Sequence, residues 1–175
     1  DYEYDFATGL VNKIWYQKHD NAGDRFIHRY SYNQLGQLVM VVTSTDNRSY
    51  TEQAQYEYYE TGELKRTVLA ENAQGIDYIY NLNGQLKAIN HPSRDRNLDP
   101  GNDGNNGVAQ DLFGVALDYF SGDYSRSNTP RPITSTTDGL NQFNGNIQAS
   151  RWSNSNIAGG VHAGQVYSYN KNNWL

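Results

Sequence analysis

Tyr78-Ile79-Tyr80-Asn81-Leu82-Asn83-Gly84-Gln85-Leu86 reads as one β-hairpin. Two tyrosines spaced by two put both rings on one face of a strand. The asparagine after them can hydrogen-bond its own backbone two residues on, and the glycine three later supplies the positive φ that ends a type I turn with a bulge. Leu86-Lys87-Ala88-Ile89 then forms the returning strand. The spacing is that of a turn mechanism as well as of a pattern.

The same unit recurs along the chain. Tyr2-Glu3-Tyr4-Asp5 runs to Gly9, Tyr30-Ser31-Tyr32-Asn33 to Gly36 and Leu38, and Tyr56-Glu57-Tyr58-Tyr59 to Gly62 and Leu64. A fifth copy starts at Tyr167-Ser168-Tyr169-Asn170. First tyrosines lie 28, 26 and 22 residues apart (2 to 30, 30 to 56, 56 to 78), so the hairpin is constant while its connecting arm varies. Variable arms favour hairpins over rigid solenoid coils.

Further turns join the hairpins. Asp20-Asn-Ala-Gly23 and Asn72-Ala-Gln-Gly75 share the Asx-to-Gly spacing, with Ser44-Thr-Asp-Asn47 a looser equivalent. The expected strands fall near residues 10–18, 25–33, 37–44, 49–59, 63–70, 76–81 and 85–90, every neighbour antiparallel. Residues 1–90 are thus four hairpin repeats, and 165–175 begin a truncated fifth. Between them, 91–164 is an irregular excursion rich in Asn, Asp, Gly, Ser and Thr, containing all four prolines. Leu112–Phe120 and Ile147–Trp152 keep strand character within it. Long structureless loops are uncommon in compact domains, so the stretches from Pro92 to Gln110 and Ser125 to Gln142 are either functional or packed against neighbouring structure, and packing is the first expectation.

Composition agrees. Among 175 residues there are 15 Tyr, 5 Phe, 3 Trp and 16 Gly with one Met, which favours pleated strands and tight turns and an aromatic core. A net charge of −5 without a basic run excludes a phosphate-tracking surface, so no nucleic-acid partner is expected. The absence of cysteine excludes disulfides and thiolate metal sites. No apolar stretch approaches the roughly 20 residues that span a bilayer, so membrane insertion is not expected. Asp1-Tyr2-Glu3-Tyr4 has neither an initiator Met nor a signal pattern, and the chain reads as an excerpt of a longer polypeptide.

These residues resemble the YD-repeat (RHS-repeat) family, whose unit is Tyr-x-Tyr-Asp, a turn, Gly-x-Leu and a further apolar residue. Tyr30 to Leu38 and Tyr78 to Leu86 match closely. Gly75 through Pro92, Asp111-Leu-Phe-Gly114 and Gly122-Asp-Tyr124 resemble the part of long bacterial RHS proteins that leads into their core region. Departures are Asn33, Asn81 and Asn170 in place of Asp, Tyr59, one extra turn residue before Gly9, and Asn173 in place of Gly. Asparagine tolerates the left-handed conformation, so the turns survive. The resemblance implies an all-β antiparallel meander of β-hairpin repeats forming an arc of a spiralling YD-repeat shell, with the long irregular insertion. Such shells occur in toxin-complex cocoons and the teneurin barrel, and usually hold a C-terminal toxin or effector. It further implies a secreted or cell-surface bacterial location. The expected partners are the remainder of the polypeptide, cargo included, and a secretion-machinery or surface protein.

No enzyme and no cofactor is expected. His19, His28, His91 and His162 have neither metal-site spacing nor a nucleophile beside them. Asp95, Asn97, Asp99 and Asp103 alternate oxygen ligands as calcium loops do. Pro100 stands where an EF-hand needs glycine, and Asn106 where its bidentate Glu belongs, so a plain Asx-rich turn is the first reading and calcium the second. Asp99-Pro100-Gly101 only superficially resembles the self-cleavage motif that ends RHS cores, whose glycine comes one residue later, and Asn47-Arg48-Ser49 is a lone glycosylation sequon. The leading expectation is a structural shell segment. A second is an adhesion module that binds glycan or protein through exposed rings such as Trp15, Trp152 or Trp174.

Overall fold

The computed structural model describes residues 1–19, 23–123, 139–155 and 163–175, and the protein is all-β. The strands in chain order are β1 (Tyr2–Tyr4), β2 (Val11–Tyr16), β3 (Phe26–Tyr32), β4 (Leu38–Ser44), β5 (Thr51–Tyr58), β6 (Leu64–Leu69), β7 (Gln74–Tyr80), β8 (Leu86–Ile89), β9 (Phe113–Asp118), β10 (Ala149–Asn154) and β11 (Ala163–Val166). They fall into two compact units, Asp1–Ala73 and Gln74–Leu175. In the first, β1 to β6 pair antiparallel in sequence order, each strand with the next. In the second, β7 to β11 do the same. Both are meanders; short connections require this in the first unit, and the second keeps the same order across the long connections that precede β9 and β10.

The repeat turns close by one mechanism. Asn33 accepts Gly36 N–H at its carbonyl and donates its own N–H to Gln37 O. Its side-chain Oδ1 takes the N–H groups of Leu35 and Gln37, both at 3.0 Å. Asn81 repeats this with Asn83, Gly84 and Gln85. Asn170 repeats it with Asn172, Asn173 and Trp174. Gly36 and Gly84 sit at φ +77° and +76°, and Asn173 takes the same left-handed place at +60°. Position Asn173 can therefore dispense with glycine because its side chain tolerates that region.

A second regularity lies beyond the turn. Register slips by one residue opposite the second tyrosine of each early repeat: Glu3/Tyr4, Ser31/Tyr32, Glu57/Tyr58 and Ile79/Tyr80. The residue passed over on the returning strand is Asn12, Val39, Lys65 and Lys87 in turn. Such bulges increase local twist and re-aim a side chain.

Two expectations need correction. The turn expected at Asn72–Gly75 lies earlier, at Ala70–Ala73, where Ala70, Glu71 and Asn72 all have positive φ and Ala73 N–H bonds Leu69 O. Gln74 and Gly75 already belong to β7. The core is also aliphatic, not aromatic: the fully buried apolar residues are Ile27 in the first unit and Ile79, Ala88 and Ala116 in the second. Along β7 the tyrosines are half-buried while Gly75, Asp77 and Ile79 on the opposite face are buried. A phenol needs a polar partner at its tip, which keeps these rings at the margin of the sheet and leaves the interior to small apolar groups.

Both expected strands of the excursion form, as β9 and β10, joined in a six-residue register. Residues 92–110 pack onto the second unit. Ser153 Oγ donates to Pro92 O at 2.6 Å and Arg94 Nε to Ser153 Oγ at 3.2 Å. At Gly114 any Cβ would stand 2.1 Å from His91 O, so the chain crosses that strand at backbone contact. Tyr124, Pro130, Pro132, His162, most of the stretch Ser125–Gln142 and the first three residues of the Asp20–Gly23 turn lie outside the described residues.

Candidate functional site

The second tyrosine of the repeat has a definite job. Tyr32 Oη donates to Val11 O and Tyr58 Oη to Leu38 O, both at 2.8 Å, and Tyr169 Oη donates to Ile147 O at 2.9 Å. Val11 and Leu38 open the returning strand of the preceding hairpin. Each hairpin is thereby latched to its predecessor through a phenol and a main-chain carbonyl, a bond that phenylalanine cannot make. Tyr119 makes the same bond, to Leu86 O at 2.9 Å, and Leu86 likewise opens β8. The β9–β10 pair is therefore a further hairpin of the series, and the missing Tyr-x-Tyr pair hid it: Leu117 stands where the first tyrosine would be. The first tyrosines of the repeats serve differently. Tyr167 Oη lies 3.0 Å from Ser150 Oγ, whereas Tyr30 and Tyr56 are half-buried rings with no hydroxyl hydrogen bond among the described residues.

Lys87, at the bulge of β8, is fully buried and donates to Asp118 Oδ1 and Asp123 Oδ1, each at 2.6 Å. Arg151 on β10 adds Nε to Asp118 Oδ2 at 3.0 Å. Asp123 Oδ2 accepts Tyr119 N–H at 2.9 Å. Carboxylates meet cations here, and all four of their oxygens accept hydrogen bonds, as burial demands. The group ties β8, β9, the turn after β9 and β10 together. At the equivalent bulge Lys65 is exposed and pairs with Glu57 at 2.9 Å, so the bulge position is constant and its burial is not.

A second buried group brings four carboxyls together. Asp77 on β7, Asp99 and Asp103 in the excursion and Asp111 before β9 are 4%, 2%, 0% and 3% exposed. One carboxylate oxygen from each of Asp77, Asp99 and Asp103 lies within 4.8 Å of the others. Asp103 N–H donates to Asp99 Oδ2 at 2.7 Å, and Asn106 Nδ2 lies 3.3 Å from Asp103 Oδ1. Asp77 exchanges backbone-side hydrogen bonds with Asn90. Burial, then the contact with Asp99 and the charges of Asp99, Asp103 and Asp77, push the Asp111 carboxyl up to about 9. Gln74 Nε2 donates to Asp111 Oδ1 at 3.2 Å, while its Oε1 is sealed from solvent and receives no hydrogen bond. Of the calcium candidates read from the sequence, Asp99 and Asp103 join this cluster. Asp95 and Asn97 are exposed, and Asp95 Oδ1 caps Asn97 N–H. Asp77, Asp111 and Gln74 were not legible as members, because they stand 22 or more residues away from Asp99 or beyond a second turn.

Three exposed tyrosine rings lie on the first unit. Tyr2, Tyr4 and Tyr16 are 62%, 59% and 55% exposed. Tyr2 and Tyr4 stack at 6.4 Å, and His28 packs against Tyr16, Phe26 and Tyr30. A shallow cleft of about 320 Å³ lies between the first two repeat turns, lined in part by Asp5, Asn12, Tyr30 and Asn33. Trp15 is engaged: its Nε1 donates to Glu3 Oε1 at 2.6 Å, and Lys13 and Lys18 sit over its ring. Trp152 is half-buried and Trp174 exposed. His91 Nδ1 is 2.6 Å from Ser93 Oγ, and His19 is exposed.

No protein-family model matches the chain, and no curated protein matches it in sequence.

Proposed function

We propose that this chain is a wall segment of a large secreted YD-repeat (RHS-type) protein, an arc of a β-shell that encloses or presents a C-terminal toxin or effector of the same polypeptide outside a bacterial cell. The observation that carries the reading is the tyrosine latch, which joins one hairpin to the next through main-chain atoms and so works whatever the neighbouring side chains are. A joint of that kind extends a sheet by whole hairpins, the growth that a curved wall needs, and pairs strand edges as it goes. The role is mechanical, and the partners are adjoining hairpins and the cargo they surround.

Cryo-electron microscopy of this chain together with the coding sequence that flanks it tests the reading. A hollow particle whose wall contains residues 1–175 is expected. A wall-less string of separate modules would refute it.

A second reading, a surface adhesion module, draws on the exposed Tyr2, Tyr4 and Tyr16 rings. Aromatic faces open to water stack on sugars or on partner side chains. Glycan-array binding that is lost in Tyr16→Ala would favour it over the shell.

A further inference from the structure

We propose that Lys87 and Asp123 condense within the folded chain into an isopeptide bond, an amide between Lys87 Nζ and Asp123 Cγ, with Asp118 carrying the proton. Lys87 Nζ lies 2.6 Å from Oδ1 of Asp123 and 2.6 Å from Oδ1 of Asp118, and all three side chains are 0% exposed. Asp123 Cγ is therefore no more than one C–O bond farther from Nζ than Oδ1 is, close to the separation at which an amine attacks. Three elements hold the groups. Lys87 is the residue passed over at the β8 bulge, Asp118 ends β9, and Asp123 lies in the turn that follows.

The two carboxyl groups differ in their surroundings, and the difference assigns their roles. Asp118 faces the Arg151 guanidinium with both oxygens, Nε to Oδ2 at 3.0 Å and Nη2 to Oδ1 at 3.3 Å. A guanidinium fork orients a carboxylate as an acceptor, so Asp118 is the proton carrier. Asp123 instead places Oδ2 on a main-chain donor, the N–H of Tyr119, at 2.9 Å. A fixed amide donor stabilises the negative charge that gathers on that oxygen when the carbon is attacked, so Asp123 is the acyl group.

The step balances without a further reactant. Nζ passes one proton to Asp123 Oδ1 along their hydrogen bond, which leaves an amine facing a carboxylic acid. The amine lone pair forms the bond to Cγ while the C=O pair moves onto Oδ2, under the Tyr119 N–H. Asp118 takes a second proton from Nζ and delivers it to Asp123 Oδ1. The carbonyl re-forms, the Cγ–Oδ1 bond breaks and water leaves; nothing is oxidised or reduced. Burial favours the product, because an ammonium and a carboxylate kept from solvent cost free energy that one neutral amide does not. Fixed partners also act at an effective concentration of about 10⁵ M or more, which lowers the barrier that keeps free amines and acids apart in water. Lys65, at the equivalent bulge, lacks this enclosure: its side chain is 47% exposed and that of its partner Glu57 55%. The bond closes residues 87–123 into a loop that contains β9 and the excursion before it.

The test is the intact mass of the whole chain, purified folded and then denatured for electrospray, followed by peptide mapping. A mass lower than the sequence mass by one water is expected, with the Lys87 and Asp123 peptides emerging as one branched species. Lys87→Met should show its full sequence mass. Asp118→Asn, which removes the proton carrier, should slow linking by about a hundredfold or more. Asp123→Asn should still link, now with loss of ammonia in place of water, and Lys65→Met should link as the parent does. The parent decides the question, so no variant has to fold for the result to count. A parent with the circular dichroism of a β protein and its full sequence mass overturns the proposal. Water loss that maps to an unbranched peptide overturns it as well, and so does a branch at Asp118 in place of Asp123.

Discussion

Asp46 and the repeat tyrosines show how much single residues carry. Asp46 Oδ1 takes the N–H groups of Arg48 and Ser49, both at 2.8 Å, and these bonds hold its carboxyl down at about 2. Because the folded value lies below the ordinary 3.8, the turn gains stability above that value and loses it as pH falls through about 2. Side-chain NMR titration of Asp46 should give a midpoint near 2, and the Arg48 and Ser49 amides should shift over that same range. The tyrosines offer a paired comparison two residues apart. Tyr58→Phe deletes the hydroxyl that Leu38 O accepts and should cost about 1 kcal/mol. Tyr56→Phe removes a hydroxyl with no such bond and should stay within about 0.5 kcal/mol of the parent. Urea denaturation of both variants decides, and equal losses would mean that the latch carries no weight.

At the scale of elements, the hairpin is the unit that repeats, and the bulge decides what each copy does with its returning strand. The passed-over position is Asn12, Val39, Lys65 or Lys87, and only in the last is a cation driven into the interior. Lys87→Met would take from the buried Asp118 and Asp123 the ammonium that both accept from. The expected loss is about 3–5 kcal/mol, since breaking a buried pair strands a charge. Denaturant midpoints would measure it, and faster amide exchange in β8, β9 and β10 would localise it. The turn at Ala70–Ala73 shows an element that defied its local signal. Three consecutive non-glycine residues adopt positive φ there, a conformation that side chains with a Cβ resist. Asn72-Ala-Gln-Gly75 looked the better turn from residue preference alone, yet Gly75 is a buried strand residue.

Across the molecule the four described latches use four different acceptor carbonyls: Tyr32 and Tyr58 in the first unit, Tyr119 and Tyr169 in the second. Leu38, which accepts from Tyr58, stands opposite Tyr32 in the β3–β4 register, so neighbouring latches are close enough to couple. Independent latches would cost about 4 kcal/mol when all four are replaced with phenylalanine, four times a single hydroxyl bond, and denaturant midpoints of the single and combined variants measure the coupling as the departure from that sum. A total no larger than one single variant would show that a lone joint governs the stability of the whole.

The Tyr-x-Tyr pairs, the Asx residue after them and the left-handed glycine were legible because each acts within a few residues of itself. Strand existence, the antiparallel meander and the place of Asn173 all followed from such short-range rules. Tyr119 was not legible as a latch, since no tyrosine precedes it by two and its acceptor, Leu86 O, lies 33 residues back. Nor could spacing reveal that Asp99 and Asp103 sit with Asp77 and Asp111 while Asp95 and Asn97 face water, or that Lys87 is buried where Lys65 is not. Those facts depend on which face of the sheet the excursion covers. By itself the sequence determined the repeating hairpin, because turn and pleat are local physics. Only the tertiary structure decided which charges were buried and together, because burial depends on what a distant part of the chain lays over them.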